Sequence, residues 1–219
     1  MQFSKRIRNF SLTKRFIALF LVSILSLGFA SCKASIPEDD RDLSDVSAAP
    51  GYKVSQEATD LVNIVMESGE HIVIELDGET APKTVANFKS LVAEGFYDGI
   101  IFHRVIYGFM VQTGDPTGTG TGGSSKTIEG EFSSNGNKND IDHKRGVVSM
   151  ARSKAPNSAS SQFFIVHIDS PHLNGDYAAF GHVVHGIETV DQIASTKTDA
   201  SDKPVEEQKM LKVFFVTED

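Results

Sequence analysis

The sequence predicts a mainly β domain, an antiparallel sheet or barrel, over roughly its last 160 residues. Three observations carry this expectation. From about residue 60, short runs rich in Val, Ile and Phe recur, bounded by Gly, Asn, Asp and Ser. Apolar residues return at helical spacing in only two segments. Strands and helices do not alternate as a doubly wound parallel fold would require. A domain of that length can bury a proper core, roughly 70% of the unfolded surface.

Taken in order, residues 61–68 (LVNIVMES) and 71–78 (HIVIELDG) read as two strands turning at Glu67-Ser68-Gly69-Glu70. Thr80 is placed to cap a helix with Pro82 in its first turn, where a missing N–H costs nothing. Val85, Phe88, Leu91 and Val92 form an apolar stripe expected to be core, and Gly95 ends it. IFHRVI (101–106) and FMVQTG (109–114) are short strands around Tyr107-Gly108. Segment 114–146 is rich in Gly, Ser, Thr, Asn and Asp; loops of that length are uncommon unless they serve a function. GVVSMAR (146–152), QFFIVHI (162–168), YAAFGHVV (177–184) and KMLKVFFVT (209–217) supply further strands. Ile187, Val190, Ile193 and Ala194 mark a second short helix near 186–194. No internal repeat is visible.

The beginning of the chain reads differently. Residues 1–15 carry Lys5, Arg6, Arg8, Lys14 and Arg15 and no acid, and residues 16–29 are uncharged and strongly apolar. Ala30, Ser31 and the single cysteine, Cys32, follow. A basic start, a short apolar run and a small-residue exit form an export signal. The run is short of the roughly 20 apolar residues a membrane-spanning helix needs. Phe29-Ala30-Ser31-Cys32 resembles a bacterial lipobox, with Phe29 where that pattern prefers Leu. The expectation is therefore a lipoprotein signal peptide over 1–31, a lipidated Cys32, and a product held at a membrane of the cell envelope, facing the periplasm or exterior. Residues 32–59 are polar and acidic with two prolines, the composition of a flexible tether, and 60–219 form the domain. One cysteine allows no intramolecular disulfide.

The whole chain has a formal net charge of −8. Cleavage after residue 31 leaves 16 basic against 29 acidic residues, a net charge of −13. Such a surface repels phosphates, so nucleic acid is not an expected partner. Gly118-Thr119-Gly120-Thr121-Gly122-Gly123 satisfies G-x-G-x-x-G, but no helix follows to meet a pyrophosphate, so dinucleotide binding is rejected. Those glycines read instead as a close backbone approach to a neighbouring loop or extended ligand. The seven histidines lack metal-ligand spacing and read as surface or rim residues. No G-x-S-x-G elbow is present, and neither a cofactor nor a metal is expected.

Two segments carry a more specific signal. Phe102-His103-Arg104-Val105-Ile106-Tyr107-Gly108-Phe109-Met110-Val111-Gln112-Thr113-Gly114-Asp115 resembles the first signature of the cyclophilin family. Gly146–Arg152, running on to Asn157-Ser158-Ala159-Ser160-Ser161-Gln162-Phe163-Phe164-Ile165, resembles the second. The helix beginning at Thr80 and the stretch Phe180-Gly181-His182-Val183 match in order and spacing, so the resemblance covers about residues 60–217.

That resemblance implies a closed antiparallel β-barrel of about eight strands with two flanking α-helices. It implies a peptidyl-prolyl cis-trans isomerase that binds extended proline-containing polypeptides. Arg104 matches the catalytic arginine. Phe109, Met110, Phe164 and Leu173 match the apolar proline pocket, and Gln112 a side chain that holds the peptide backbone. Ala151 and Arg152 lie where main chain pairs with extended substrate, and Gln162 falls among the substrate-binding residues. His172 stands where animal cyclophilins carry a pocket-rim tryptophan, and Tyr177 where they carry histidine; the lost indole N–H implies weak cyclosporin binding. The Arg152–Asn157 loop is one residue longer than in animal members. The expected role is folding assistance to exported or envelope proteins, as a monomer. The rival is a non-catalytic proline-peptide-binding module or chaperone on the same fold, against which the retained Arg104 speaks.

Overall fold

Alternation along a strand sends successive side chains to opposite faces of a sheet, and here it decides both the core and the site. The computed structural model describes residue 39 and residues 41–219. The expected signal peptide and Cys32 lie outside the described residues. Nine strands form one antiparallel sheet: β1 (Tyr52–Val54), β2 (Leu61–Met66), β3 (His71–Leu76), β4 (Arg104–Ile106), β5 (Met110–Thr113), β6 (Val147–Met150), β7 (Phe163–Val166), β8 (Ala179–His185) and β9 (Met210–Glu218). Their order is β1-β9-β2-β3-β8-β6-β7-β5-β4. The ladder is not continuous around the barrel. The segment before β4 meets the start of β9 through one bridge, Ile101 opposite Lys209, supported by Phe102 N–H to Gln208 O at 2.8 Å and Met210 N–H to Ile100 O at 2.9 Å. The mainly β, barrel-like architecture with two helices is as expected, with β1 as the strand the sequence pattern did not reveal.

On β7, Phe163 and Ile165 point inward while Phe164 and Val166 point out. On β9, Val213 and Phe215 point inward while Phe214 and Val216 point out. Both faces are therefore apolar over part of the sheet, and the outer patches need cover. The inner cluster is completed by α1 (Pro82–Ala93), through Val85, Phe88, Leu91 and Val92, and by α2 (Ile187–Ala194), through Val190, Ile193 and Ala194.

The start of α1 differs from the expectation. Ala81, not Thr80, is the N-cap residue, and it makes no side-chain cap. Thr80 is held by Asp77 instead, N–H to Oδ1 and Oγ1 to Oδ2 both at 2.8 Å. The free helix N–H groups are taken by Glu131, which accepts from Lys83 N at 3.0 Å and Thr84 N at 2.8 Å. One task of the long 114–146 segment is thus to deliver a carboxylate to the helix N-terminus. At the other end Gly95, at φ +69°, donates to Val92 O and Phe96 donates to Leu91 O, a Schellman closure.

The boundary expected at residue 60 lies too late. From residue 41 on, the stretch assigned to a tether is packed on the sheet. Leu43 and Ala49 are buried against Val73, Phe214 and Val216, and β1 pairs with β9. Arg41 donates to Asp39 at 2.6 Å, to Asp98 at 2.8 Å and to Val213 O at 2.8 Å, so its mostly buried charge is fully paired. Few apolar residues suffice because each sits over an outward-facing side chain of β9 or β3. A chain shortened to begin at residue 60 should lose about 3–6 kcal/mol of unfolding free energy, the cost of uncovering two or three large apolar side chains. Urea unfolding checks this, and an unchanged midpoint would contradict it.

Candidate active site

Strand register assembles the site. Arg104 on β4 pairs with Gln112 on β5, Gln112 pairs with Phe164 on β7, and Phe164 pairs with Ser149 on β6. Directly paired residues share a face, so these four form one row across the outside of the barrel. Two residues along β5, Met110 joins Phe164 on that face.

Above the row lies a cavity of about 560 Å³. Its floor is Met110, Phe164 and Leu173, all buried. Phe109 and His172 form one wall with ring centroids 5.3 Å apart, and Tyr177 meets Phe164 edge-on at 5.9 Å. Arg104 and Gln112 supply the polar rim, and Ala151 and Arg152 border the far side. Gln162 lines an adjoining cavity of about 400 Å³ walled by Gly120–Ser124, Ser153, Ser158 and Ser160. The two cavities share Gln112, Gly120, Ala151 and Arg152. Every substrate-contact residue expected from the sequence thus falls on one of two connected hollows.

A chain of amides orients the rim. Gln162 Nε2 donates to Gly122 O at 2.7 Å and Gly120 O at 3.1 Å, fixing which way that amide points. Gln112 Nε2 then donates to Gln162 Oε1 at 2.8 Å, which turns Gln112 Oε1 toward Arg104 Nη1, 3.5 Å away. The other side of the Arg104 guanidinium faces Asp202, with Nε 3.7 Å from Oδ2.

The glycine run that anchors this chain wraps around a carboxylate of the protein itself. Asp115 accepts from the backbone N–H groups of Thr117 at 2.8 Å, Gly120 at 2.7 Å and Gly122 at 3.0 Å. Burial alone would raise its pKa, but hydrogen bonds from Thr117, Gly122 and Gly120 outweigh that and hold it at about 2. A Cβ at Gly122 would sit 2.1 Å from Asp115 Oδ1, so only glycine fits. These N–H groups are engaged internally and so are not free to hold a pyrophosphate.

Ala151 N–H is already bonded to Gln162 O at 2.9 Å. The Arg152 guanidinium stacks over Tyr177 at 4.7 Å and Phe132 at 4.9 Å and donates to Asp176 O at 3.0 and 2.8 Å. Three of the seven histidines depart from the surface-or-rim reading, because His103, His143 and His167 are buried, while His172 and His182 are exposed. His143 bridges Asn174 Oδ1 at 3.1 Å and Ser149 Oγ at 3.0 Å behind Phe164, and burial lowers its pKa. His103 lines the cavity beside Arg104 with neither ring nitrogen hydrogen-bonded, and burial lowers its pKa as well. His103, Thr119 and Ser201 are cavity residues the sequence reading missed, whereas Gly120 belongs to the glycine run read as approaching a neighbouring loop or extended ligand. Ser201 comes from a charged turn about 100 residues beyond Arg104 that only the tertiary fold could bring near. Among the described residues, no group of three or more His, Cys, Asp or Glu is placed to hold a metal ion.

The family model of the cyclophilin type peptidyl-prolyl cis-trans isomerase/CLD matches residues 61–214, from β2 into β9. This chain belongs to that family. Among similar cyclophilins, peptidyl-prolyl cis-trans isomerase ppi1 of Schizosaccharomyces pombe is 47% identical over 142 residues, covering 64% of this chain and 90% of the relative. Peptidyl-prolyl cis-trans isomerase-like 1 of Gibberella zeae is 44% identical over 159 residues, covering 72% of this chain and 96% of the relative. A crystal structure of a Cryptosporidium parvum cyclophilin type peptidyl-prolyl cis-trans isomerase, determined in the presence of the dipeptide Ala-Pro, superposes with a TM-score of 0.65 at 38% identity. It covers 71% of this chain and 98% of that one. The protein is accordingly a peptidyl-prolyl cis-trans isomerase.

A depressed carboxylate stabilises the fold fully above its unfolded pKa, and loses that contribution as the pH falls through its folded value. For Asp115 the window runs from about pH 4 down to about pH 2. Asp115→Asn should lower Tm at pH 7 by about 3–6 °C, and the gap to the parent should close across that window. Calorimetry at several pH values checks this; a gap unchanged from pH 7 to pH 2 would contradict it.

Proposed function

We propose that Arg104 and the cavity beside it carry the isomerisation, acting on Xaa-Pro bonds of exported or envelope proteins. The observation that carries the site is the register row, which sets Arg104 and Gln112 at the rim of an apolar hollow floored by Met110, Phe164 and Leu173. Amide resonance sets the problem: rotation faces a barrier of about 18–20 kcal/mol, and uncatalysed Xaa-Pro exchange takes tens to hundreds of seconds. In the twisted state resonance is lost and the nitrogen becomes pyramidal and more basic. The hollow takes the proline ring, whose apolar carbons match its floor. The guanidinium at the rim donates toward the prolyl carbonyl and the developing nitrogen lone pair, and so favours the twisted state over the planar ones. Gln112, aimed by Gln162, holds the neighbouring peptide group. No bond is made or broken, so the site needs no nucleophile.

His172 at the mouth is smaller than an indole and offers no indole N–H, which supports weak cyclosporin inhibition. A tight-binding inhibition curve would contradict that.

The cellular setting rests on the sequence. A basic start, an apolar run of residues 16–29 and Cys32 after Phe29-Ala30-Ser31 support export and lipid anchoring. Among the described residues no helix is long and apolar enough to cross a membrane. Mass spectrometry of the protein from a bacterial membrane fraction should find a diacylglycerol-modified Cys32 at the N-terminus; an unmodified Ala or Ser there would overturn the anchor.

Arg104→Ala should lower kcat/KM for a short Xaa-Pro peptide by about 10²-fold or more, the usual loss for one transition-state donor. The variant should keep its fold, since the side chain is half exposed. A variant as active as the parent would move the chemistry away from Arg104.

A further inference from the structure

We infer that Asp202 is a positioning residue for Arg104, orienting its guanidinium from the tip of a separate hairpin; this rests on Arg104 being the catalytic group. Among the described residues, Asp202 is the only non-glycine with positive φ, at 63°. Its hairpin turn is closed by Asp199 N–H to Lys203 O at 2.8 Å and Asp202 N–H to Asp199 O at 3.2 Å. The same two bonds close the β2–β3 turn, Met66 N–H to Glu70 O at 2.8 Å and Gly69 N–H to Met66 O at 2.9 Å. There the left-handed position is filled by Gly69 at φ +95°. This turn is the three-residue loop whose last residue is left-handed and ordinarily glycine. One copy in this molecule uses glycine, and the other, at the active site, accepts the strain of aspartate. Strain of that kind at a site invites a functional reading.

Two contacts say what the aspartate does. Its carbonyl accepts Val105 N–H at 2.8 Å, which docks the hairpin tip on β4 one residue from Arg104. Its carboxylate lies 3.7 Å from Arg104 Nε, and the preceding Ser201 lines the cavity. Both charged side chains are more than 40% exposed, so the pair adds little to stability. Its effect is orientation. Without it the guanidinium keeps only the long 3.5 Å contact to Gln112. With it, the Nε edge faces the hairpin carboxylate, Nη1 faces Gln112, and Nη2 is left for substrate.

The test compares Asp202→Gly and Asp202→Asn with the parent in the Xaa-Pro exchange assay. Glycine relieves the backbone, so Asp202→Gly should have an unchanged or higher Tm while kcat falls about tenfold with KM little altered. Asp202→Asn keeps a residue tolerant of this conformation and loses the charge, and should fall about threefold. In an Arg104→Lys background, which has no Nε to orient, the Asp202→Gly step should change kcat by less than about twofold. Undiminished kcat in Asp202→Gly, or an equal loss in the Arg104→Lys background, would overturn the inference. If Arg104→Ala is itself fully active, it is the reading of Arg104 that fails, and the two failures are told apart.

Discussion

The rest of the structure depends on the two-residue alternation of β-strands that are apolar on both sides. A strand buried on one face reads apolar and polar in turn. Phe163-Phe164-Ile165-Val166 does not: Phe163 and Ile165 enter the barrel, and Phe164 and Val166 stand outside it. The same holds for Val213-Phe214-Phe215-Val216. An exposed apolar strip of that kind must be covered or used. The chain covers the β9 strip with its own residues 41–54, and leaves the β7 strip as the floor of a hollow. One constraint thus accounts for an N-terminal segment that is packed and for a proposed active site that is open.

A second layer gives that hollow its chemistry. The Asp115 carboxylate gathers the N–H groups of the glycine loop, the carbonyls of that loop fix Gln162, Gln162 fixes Gln112, and Gln112 faces Arg104. The links from Asp115 to Gln112 are hydrogen bonds of 2.7–2.8 Å, and only the last, from Gln112 to the half-exposed Arg104, is long at 3.5 Å. Catalysis by oriented donors gains from rigidity set before substrate arrives, and a carboxylate held ionised at the far end of the chain supplies it. The hairpin tip at Asp202 closes the arrangement from the other side.

Much of this was legible in the sequence, and the limits follow physical lines. Strands β2 to β9 and both helices show periodicity and turn residues within a few positions of each segment. The residues of the main cavity lie largely in three short stretches, Arg104–Gln112, Ala151–Phe164 and His172–Tyr177, so local matching gathers them. What escaped depends on contacts far apart in sequence. β1 is three residues long and has meaning only beside β9. Leu43 and Ala49 look too sparse to fold until Phe214 and Val216 are known to need cover. Thr80 has the right chemistry for a cap, yet Asp77 and Glu131 compete for the roles it would fill. Nothing in Thr198–Pro204 distinguishes Asp202 from the surrounding charges, because its left-handed φ and its approach to Arg104 are tertiary facts.

The central claim is that the outward strip of β5 and β7 receives the proline ring while Arg104 acts on its amide. It is tested most directly by NMR of the full domain with a short Ala-Pro-containing peptide at exchange equilibrium. The account predicts cis–trans exchange cross-peaks that appear only with the protein, together with contacts from the proline ring protons to the Met110 and Leu173 methyl groups and the Phe164 ring. Exchange accelerated while the proline ring contacts some other surface would contradict it.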